Sequence, residues 1–315
     1  MDVQPAVPSA SGPEADLQIR PPSLLRRLAR HRAALVGAVA LAAIVFLCTL
    51  GPAVLHINPD AIDFTAFNSP PSWRHIMGTD DLGRDEFVRI LYGGRISLLV
   101  GFLAMLIGVG LGGVVGAVAG YFGGSVDFVA MRVVDVALSI PRLFLLLLLS
   151  VTIGSGVFDI ALIIGLTAWM YPARIMRAQV LSLRTREFVE AARAMGAGTG
   201  RILARAVVPN AVAPLIVNGT IQVGQAIVSE SIMSFLGYGI QPPTPSWGNM
   251  LTNAQTFLPV SPWLAIFPGV MIVITVLAFN LVGDALRDAL DPTGQQGARA
   301  NRAPRRRRAV ATAGT

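Results

Sequence analysis

"ISLLVGFLAMLIGVGLGGVVGAVAGYFGGSV", residues 96–126, contains no charged residue. Within it, Gly108, Gly110 and Gly113 match the G-x-G-x-x-G pattern of a dinucleotide-binding turn. Such a turn needs a short strand before it and a polar, amphipathic helix after it. The run provides neither, because it stays apolar on both sides of the glycines. We therefore predict no NAD site in this run.

A second spacing of glycines fits the run better. Gly108, Gly112, Gly116 and Gly120 recur every four residues, so in a helix they share one face. Small residues at this spacing let two helix backbones approach closely in lipid, where apolar burial alone provides no driving force. The run is also long enough to cross a bilayer. We predict a membrane-spanning helix whose glycine face packs against another helix.

The composition of the whole chain agrees with a location in lipid. Of its 315 residues, 53% are hydrophobic and 14% are charged, and the mean hydropathy is +0.62. Soluble domains carry about 25% charged residues. The net charge of +7 would also suit a nucleic-acid partner. The arginines cluster at a few places along the chain, however, as membrane topology requires. We therefore expect a lipid bilayer as a partner and no nucleic acid.

The chain lacks residue types that several kinds of catalysis require. It has no lysine, so it can form neither a Walker A loop nor a Schiff base. Cys48 is its only cysteine, which excludes an internal disulfide and a cysteine-rich metal site. His31, His56 and His75 are too scattered for metal-ligand spacing. We expect no catalytic residue, no metal site and no cofactor in this chain.

Hydropathy predicts an all-α integral membrane protein with six transmembrane helices. The apolar runs that could span a bilayer are residues 33–55, 96–126, 138–153, 157–172, 209–229 and 263–283. Arginine is dense before the first run, in the loop at 173–208 and after the last run. Since arginine-rich short loops face the cytoplasm, both termini are expected on that side. Residues 231–262 are uncharged too, but their glycines and prolines rule out a continuous helix.

These features divide the chain into parts. We predict a disordered, Arg-flanked cytoplasmic N-terminus at 1–32, a first transmembrane helix at 33–55, an extracytoplasmic segment at 56–95, a five-helix core at 96–286 and a basic cytoplasmic tail at 287–315. Within the extracytoplasmic segment, residues 79–86 predict a helix start, because acidic residues lie where the first turn would be. This start is more typical of a structural lid than of a ligand site.

The arginine-rich loop contains the stretch "REFVEAARAMGAGTGRILARAVVPNAVAP", which begins at Arg186. Its apolar residues follow i, i+3, i+4 and i+7 spacing, typical of one face of a helix; they are Phe188, Ala191, Ala192 and Met195. The glycines that follow favour a helix end. We predict a short cytoplasmic amphipathic helix within residues 186–200.

Two interpretations of this helix remain open from its residues alone. Its arginine-rich flanks would suit a helix that rests on anionic lipid headgroups. Glu187 and Glu190 on its polar face suit a protein groove that offers basic residues instead. The charges therefore allow either a membrane surface or a cytoplasmic protein partner.

The same stretch resembles a family signature. Glu190, Ala191 and Ala192, followed by Gly196 and Pro209, are similar to the E-A-A-x-x-x-G-…-I-x-L-P signature of bacterial ABC-importer permease subunits. In that family the segment is the coupling helix that inserts into the ATPase subunit. The resemblance implies that this chain couples to an ATPase through the residues that match or line the same helix: Phe188, Glu190, Ala191, Ala192, Met195, Gly196 and Pro209.

The match departs from the signature at two apolar positions, Ala206 in place of isoleucine and Val208 in place of leucine. Three further stretches resemble the C-type subunit of the dipeptide and oligopeptide branch. They are "MGTDDLGRDEFVRILYGGRISLLVG" from Met77, "SESIMSFLGYGIQPPTPSWGNML" from Ser229 and "NLVGDALRDALDP" from Asn280. Together the resemblance covers residues 33–292 in the right order.

The resemblance implies a type I ABC importer in the bacterial plasma membrane. The expected partners are a homologous B-type permease subunit, two cytoplasmic ATPase subunits that bind ATP and Mg²⁺, and an extracytoplasmic solute-binding lipoprotein. Gly196 would let the chain turn where a side chain would clash with the ATPase. Peptides are the first expectation for the cargo, and nickel complexes or other small solutes are alternatives because nickel permeases share similar stretches.

Acidic residues near the spans leave other possibilities open. Glu230 at the outer end of the fifth span could line the translocation path and meet a peptide, or it could brace the loop that follows. Asp135 and Arg142 are expected to form an ion pair or to snorkel, and Asp159 is expected at the outer surface. A proton-coupled secondary transporter would instead use Asp135, Asp159 or Glu230 as a relay.

Overall fold

The computed structural model describes residues 32–55 and 57–290. Within these ranges the chain is helical, and no strand forms apart from two isolated bridges, which join Ile62 to Arg84 and Thr79 to Asp85. The predictions for the N-terminus up to residue 31 and for the tail from residue 291 lie outside the described residues.

Three helices are each long and apolar enough to cross a membrane: α1 (Arg32–Leu55), α2 (Glu86–Phe122) and α12 (Trp263–Leu290). Two bent pairs follow α2, with α3 (Gly124–Ser139) and α4 (Arg142–Ile153) at 91°, and α5 (Val157–Leu166) and α6 (Met170–Leu183) at 46°. A third pair, bent by 59°, joins residues 199–211 to α10 (Ala213–Phe235). If each bent pair is one span, the described chain has up to six spans.

Shorter helices complete the described chain. They are α7 (Glu187–Ala194), α8 (Thr199–Ile202), a π-helical turn (Leu203–Val207), α9 (Val208–Ala211) and α11 (Trp247–Phe257). The region at 231–262 is therefore not one helix, as its glycines and prolines predict, but it contains α11, which its sequence pattern did not predict. Ser246 caps α11 by accepting a 3.1 Å hydrogen bond from the Asn249 N–H, and the Asn249 side chain accepts one from the Ser246 N–H at 3.0 Å.

The four glycines of α2 lie where this helix crosses α5, α6 and the residues between them. A methyl group on Gly112 would come within 2.6 Å of Cβ of Pro172, one on Gly116 within 2.8 Å of Cβ of Met176, and one on Gly120 within 3.0 Å of Cβ of Val180. A methyl group on Gly108 would lie 3.1 Å from Cβ of Ala168. In contrast, Gly110 of the G-x-G-x-x-G pattern has no neighbour within 4 Å of such a group. The glycine face therefore sets the distance between α2 and the α5–α6 pair.

The start of α2 differs from the prediction by ten residues, because the helix begins at Glu86 and not at residue 96. Asp85 is its N-cap and accepts a 3.1 Å hydrogen bond from the Val88 N–H. A helix therefore starts at the last residue of the predicted 79–86 start, but residues 79–85 precede it, and of the acids in that segment Glu86 alone lies in its first turn. Within this extension, Arg89 is paired with an acid, because its guanidinium lies 3.2 Å from the Asp60 carboxylate. The non-helical part of the 56–95 segment is correspondingly shorter.

The third span differs most from its prediction. A helix was expected across residues 138–153, but the chain breaks between Ser139 and Arg142, where Pro141 has no N–H to donate. The preceding helix, α3, was not predicted, because its Asp127 and Asp135 lower its hydropathy. Both acids are paired in the structure, Asp127 with Arg177 and Asp135 with Arg174 at 2.6 Å. The expected pair between Asp135 and Arg142 is therefore wrong.

Candidate functional site

Helix α7, which carries the E-A-A residues, is fixed to the rest of the chain by one face. Val189 on that face is fully buried, and Ala192 is partly buried beside it. They pack into a cluster that joins α2, α6, α8, the π-helical turn, α9 and α10; its other buried members are Ala117, Met176, Val180, Ile202, Val207, Ala211 and Leu215. Because α7 shares this cluster with α2, α6 and α10, a force on α7 acts directly on helices of the membrane core.

The end of α7 is closed by a Schellman motif. The N–H of Gly196 donates to the carbonyl of Arg193 at 3.0 Å, and the N–H of Ala197 donates to the carbonyl of Ala192 at 3.1 Å. Gly196 has a φ of +79°, a left-handed conformation that glycine adopts without strain. A methyl group on Gly196 would meet no atom of the described chain within 4 Å. Within this chain the glycine is therefore required by the backbone conformation and not by a close neighbour.

The opposite face of α7 exposes apolar side chains. Phe188 is 42% exposed and Met195 is 81% exposed, and Ala191 between them is exposed as well. The predicted stripe is thus divided, because Ala192 turns toward the cluster while the other three face outward. Val189 was missed, although Val189 and Ala192 are spaced i and i+3 and this pattern could have identified the anchoring face. We call Phe188, Glu190, Ala191 and Met195 the docking surface.

The carboxylate beside these apolar side chains is unpaired. Glu190 is exposed, and its side chain makes no hydrogen bond or ion pair with any residue in 32–55 or 57–290. Glu187 and Glu190 lie in the first turn of α7, and Arg193 lies in its last turn, where the helix dipole favours these charges. The dipole explains why acids are tolerated here, but it leaves the Glu190 carboxylate free to bind a cation from another molecule.

Pro209 lies away from α7 in the chain. It occupies the first turn of α9, directly after the π-helical turn, and its side chain is exposed. In the π-helical turn the N–H of Val208 bonds to the carbonyl of Leu203, five residues earlier. Pro209 therefore belongs to the bend that leads into α10, while the other signature residues belong to α7 and its C-terminal turn.

Two family models match the chain, one over the core and one over the N-terminal part. Residues 112–293 match the family described as "Binding-protein-dependent transport system inner membrane component". The chain belongs to this family. Residues 23–71 of the permease match the N-terminal transmembrane domain of oligopeptide transport permease C.

Relatives of the permease cover most of its length. The oligopeptide transport system permease protein OppC of Haemophilus influenzae is 40% identical over 269 residues, which is 85% of this chain and 86% of the relative. The dipeptide transport system permease protein DppC of Bacillus subtilis is 41% identical over 271 residues, 85% of this chain and 84% of the relative. An inward-facing structure of the MetNI methionine ABC transporter has a TM-score of 0.50 at 22% identity, covering 64% of the permease and 96% of the matched chain. This last similarity concerns the fold alone.

Glu230 of the permease is fully buried and surrounded by hydroxyl groups. Its carboxylate accepts hydrogen bonds from Ser234 at 2.7 Å, Ser246 at 2.8 Å and Ser97 at 3.1 Å. These serines lie on α10, on the loop before α11 and on α2. This enclosed position supports the interpretation of Glu230 as a brace for the following loop. A role of Glu230 in the translocation path stays a prediction.

Proposed function

We propose that this permease subunit forms half of the translocation pathway of an ATP-driven importer for dipeptides or oligopeptides. Support for peptide cargo comes from relatives that are named for oligopeptide and dipeptide transport. The other half is contributed by a homologous B-type subunit. Two ATPase subunits bind ATP and Mg²⁺ in the cytoplasm, and an extracytoplasmic lipoprotein delivers the cargo. The permease lies in the bacterial plasma membrane.

The docking surface is the observation that carries this proposal. Large apolar side chains that are exposed together are typical of a binding surface. Here they lie on a helix that is anchored by Val189 and closed by a Schellman motif, so the surface is rigid. The adjacent Glu190 disfavours an anionic membrane surface and favours a groove lined by basic residues. The docking surface therefore suits a protein partner that pushes on it.

The proposed movement follows from the packing of α7. Closure of the ATPases around ATP displaces the docking surface, and the buried cluster that contains Val189 passes this displacement to α6 and α10. Packed side chains resist compression, so the helices move as bodies. The spans then rock and expose the pathway to each side of the membrane in turn.

The positions of three acids argue against the proton-coupled alternative. Asp135 pairs with Arg174 and Asp159 caps α5 by accepting a 3.2 Å hydrogen bond from the Gly156 N–H, while Glu230 is enclosed by serines. A relay needs groups that exchange protons with one another, and these three each have a different partner. Nickel complexes or other small solutes remain the alternative cargo.

The test is ATP-dependent uptake by the complete importer in proteoliposomes. Two variants change the docking surface: Glu190→Arg reverses its charge, and the double variant Phe188→Ser, Met195→Ser removes its apolar contacts. Each should lower peptide uptake by at least about tenfold, as expected when a hot-spot contact is lost. The matched control is Asp284→Arg, which reverses an exposed charge on α12. The control should retain wild-type uptake.

Membrane abundance and co-purification of the ATPase subunits separate coupling from misfolding. The docking-surface variants should insert normally but lose the ATPase from the purified complex. Wild-type uptake by both variants would contradict the proposed coupling. ATP-dependent uptake of nickel but not of peptides would support the alternative cargo, and uptake that requires a proton gradient but no ATP would refute the proposal as a whole.

A further inference from the structure

The permease contains a cavity of about 540 Å³ between α2, the bend from α3 to α4, the link from α5 to α6, and α10. This volume is large enough for a small peptide or a similar solute. Most of its wall is apolar, and its polar side chains come from separate parts of the chain; they are Arg142, Thr167, Tyr171, Asn218, Gln222 and Gln225.

Arg142 is a cation without a counterion in this wall. Its Nε is buried and has no hydrogen-bond partner among the residues that the structure describes. The acids on the neighbouring helix are already engaged, Asp127 with Arg177 and Asp135 with Arg174. Within residues 32–55 and 57–290, no carboxylate pairs with Arg142. Partial burial of a guanidinium without hydrogen bonds costs free energy. Binding of an anionic acceptor from outside the described chain would therefore be favourable at Arg142.

Two amide side chains of α10 also have unused hydrogen-bonding capacity. The side-chain oxygens of Asn218 and Gln222 are buried, and no group in the described part of the chain donates a hydrogen bond to them. Gln222 is only 6% exposed, and its Nε2 donates to the carbonyl of Ala168 at 3.0 Å, which fixes the side chain and leaves its oxygen available. The cavity thus offers one cation and two free acceptors. A solute that carries a carboxylate together with N–H groups satisfies all three.

We propose that Arg142 binds the carboxylate of the transported solute, with the Asn218 and Gln222 oxygens accepting hydrogen bonds from its N–H groups. The planar guanidinium matches a carboxylate in a bidentate arrangement. The identity of the solute rests on the proposed peptide transport. We assign the C-terminal carboxylate of a peptide to Arg142 and the backbone N–H groups of the peptide to the oxygens of Asn218 and Gln222. A lipid phosphate is a second anion that a guanidinium could bind, and the experiment distinguishes the two.

The test measures occupancy of the cavity without relying on transport. Cys48 is buried, so the native chain should react slowly with N-ethylmaleimide. Gln225→Cys and Ile140→Cys each place an exposed thiol on the cavity wall. Labelling is followed in the complete importer in proteoliposomes, with tri-alanine, N-acetyl-tri-alanine or tri-alanine amide as the competing solute.

The two peptides with a free carboxylate should slow the labelling of both reporters, and the amide should not. When Arg142→Gln is combined with either reporter, about tenfold more tri-alanine should be needed to slow the labelling equally. A hydrogen bond to a charged group contributes about this factor to the binding affinity. Arg142→Lys keeps the charge but loses the fork and should be intermediate. The matched control, Arg132→Gln, removes an arginine that lies over the Phe128 ring and should change nothing.

Each other outcome overturns the assignment. Equal protection by the acid and the amide, or protection that survives Arg142→Gln, would show that Arg142 does not read the carboxylate. Labelling that changes only when phosphatidylglycerol is added to the vesicles would assign Arg142 to a lipid phosphate. Absence of labelling at both reporters would show that the cavity is closed. Failure of the proposed function would give a different result from failure of this assignment. In that case tri-alanine would still slow the labelling of the reporter cysteines, but the importer would take up no peptide with ATP.

Discussion

The hydroxyl of Ser246 donates a 2.8 Å hydrogen bond to the carboxylate of Glu230. Ser246 is also the N-cap of α11, so the same residue fixes the start of α11 and connects it to the end of α10. Ser97 on α2 bonds to both helices, because its hydroxyl donates to Glu230 of α10 and accepts from the Trp247 N–H of α11 at 3.2 Å. Glu230 thereby joins three separate segments at one buried point.

Removal of this carboxylate should destabilise the permease. Glu230→Ala loses three hydrogen bonds to a carboxylate and leaves three buried hydroxyls without an acceptor, which should cost roughly 4 kcal/mol. The thermal unfolding midpoint of the purified importer measures the loss. Ser229→Ala is the control, because the Ser229 hydroxyl bonds only to the carbonyl of Gln225 within its own helix.

Glu230→Gln separates bracing from contact with cargo. The amide keeps the shape and one acceptor, so a brace should lose only part of its stability and uptake should follow the amount of folded protein. If Glu230→Gln kept the wild-type unfolding midpoint but abolished uptake, the brace would not explain why the residue is acidic, and a direct role in the pathway would be indicated.

Alanine at Gly116 and alanine at Gly110 should change the stability of the permease in different directions, because Gly116 lies on the packed glycine face of α2 and Gly110 does not. Gly116→Ala places a methyl group 2.8 Å from Cβ of Met176 and should destabilise the permease by about 1–3 kcal/mol. The methyl group of Gly110→Ala meets no atom of residues 32–55 or 57–290 within 4 Å. This variant should be neutral or stabilising by up to about 1 kcal/mol, because alanine favours the helix more than glycine does. Unfolding midpoints of both variants check the comparison, and equal effects would contradict the assigned packing face.

The approximate positions of the spans other than the third, and of α7, could be predicted because the information for them is local. An uncharged run indicates a span, and apolar spacing together with a following glycine indicates a short helix. The glycine repeat also indicated the packed face of α2, because four glycines at a spacing of four residues form a groove along one side of a helix. None of these predictions required knowledge of which residues meet across the fold.

The errors arise where distant residues determine the structure. Helix α3 contains acids that hydropathy counts against a span, but Arg177 and Arg174 neutralise them from α6. For the same reason the ion pair between Asp135 and Arg142, one of the two expected alternatives, does not form: Arg174 pairs with Asp135, and Arg142 lines a cavity. Val189 was missed because the predicted stripe followed Phe188, Ala191, Ala192 and Met195, although the i, i+3 spacing of Val189 and Ala192 marks the face that packs against the protein.

Asp63 in the extracytoplasmic segment predicts a response to acid. Its carboxylate accepts hydrogen bonds from the Thr65 hydroxyl at 2.6 Å and the Thr65 N–H at 2.9 Å, and Arg74 lies 2.9 Å away. The hydrogen bonds from Thr65, helped by His75 and Arg74, lower the pKa of Asp63 to about 2. Since the folded pKa lies below the ordinary value of 3.8, the stabilisation is present above pH 3.8 and is lost as the pH falls toward 2.

Thr65→Val should move this loss to higher pH, because removal of the hydroxyl raises the pKa of Asp63. Pepsin cleavage at the exposed Phe64 and Phe67 follows the opening of the segment between about pH 4 and about pH 2 in detergent. Ser72→Ala serves as the control, since the Ser72 hydroxyl accepts only from the His75 N–H. An unchanged pH profile for Thr65→Val would contradict the role given to this hydroxyl.

Gly196 and Gly198 provide a matched pair for the end of α7. Neither glycine has an atom within 4 Å of the position that a methyl group would take, but Gly196 has a φ of +79° and Gly198 a φ of −67°. Gly196→Val forces a β-branched residue into a left-handed conformation and should cost roughly 2 kcal/mol, because the side chain collides with its own backbone. Gly198→Val meets no such penalty.

Because the penalty falls on the turn that closes α7, Gly196→Val should disturb the docking surface and lower ATP-dependent uptake by about tenfold or more, with normal insertion into the membrane. Gly198→Val should keep uptake near the wild-type level. Gly196→Asn should retain more uptake than Gly196→Val, because asparagine tolerates the left-handed region. If valine at both positions lowered uptake equally, contact with the ATPase along the whole turn would matter more than the backbone conformation of Gly196.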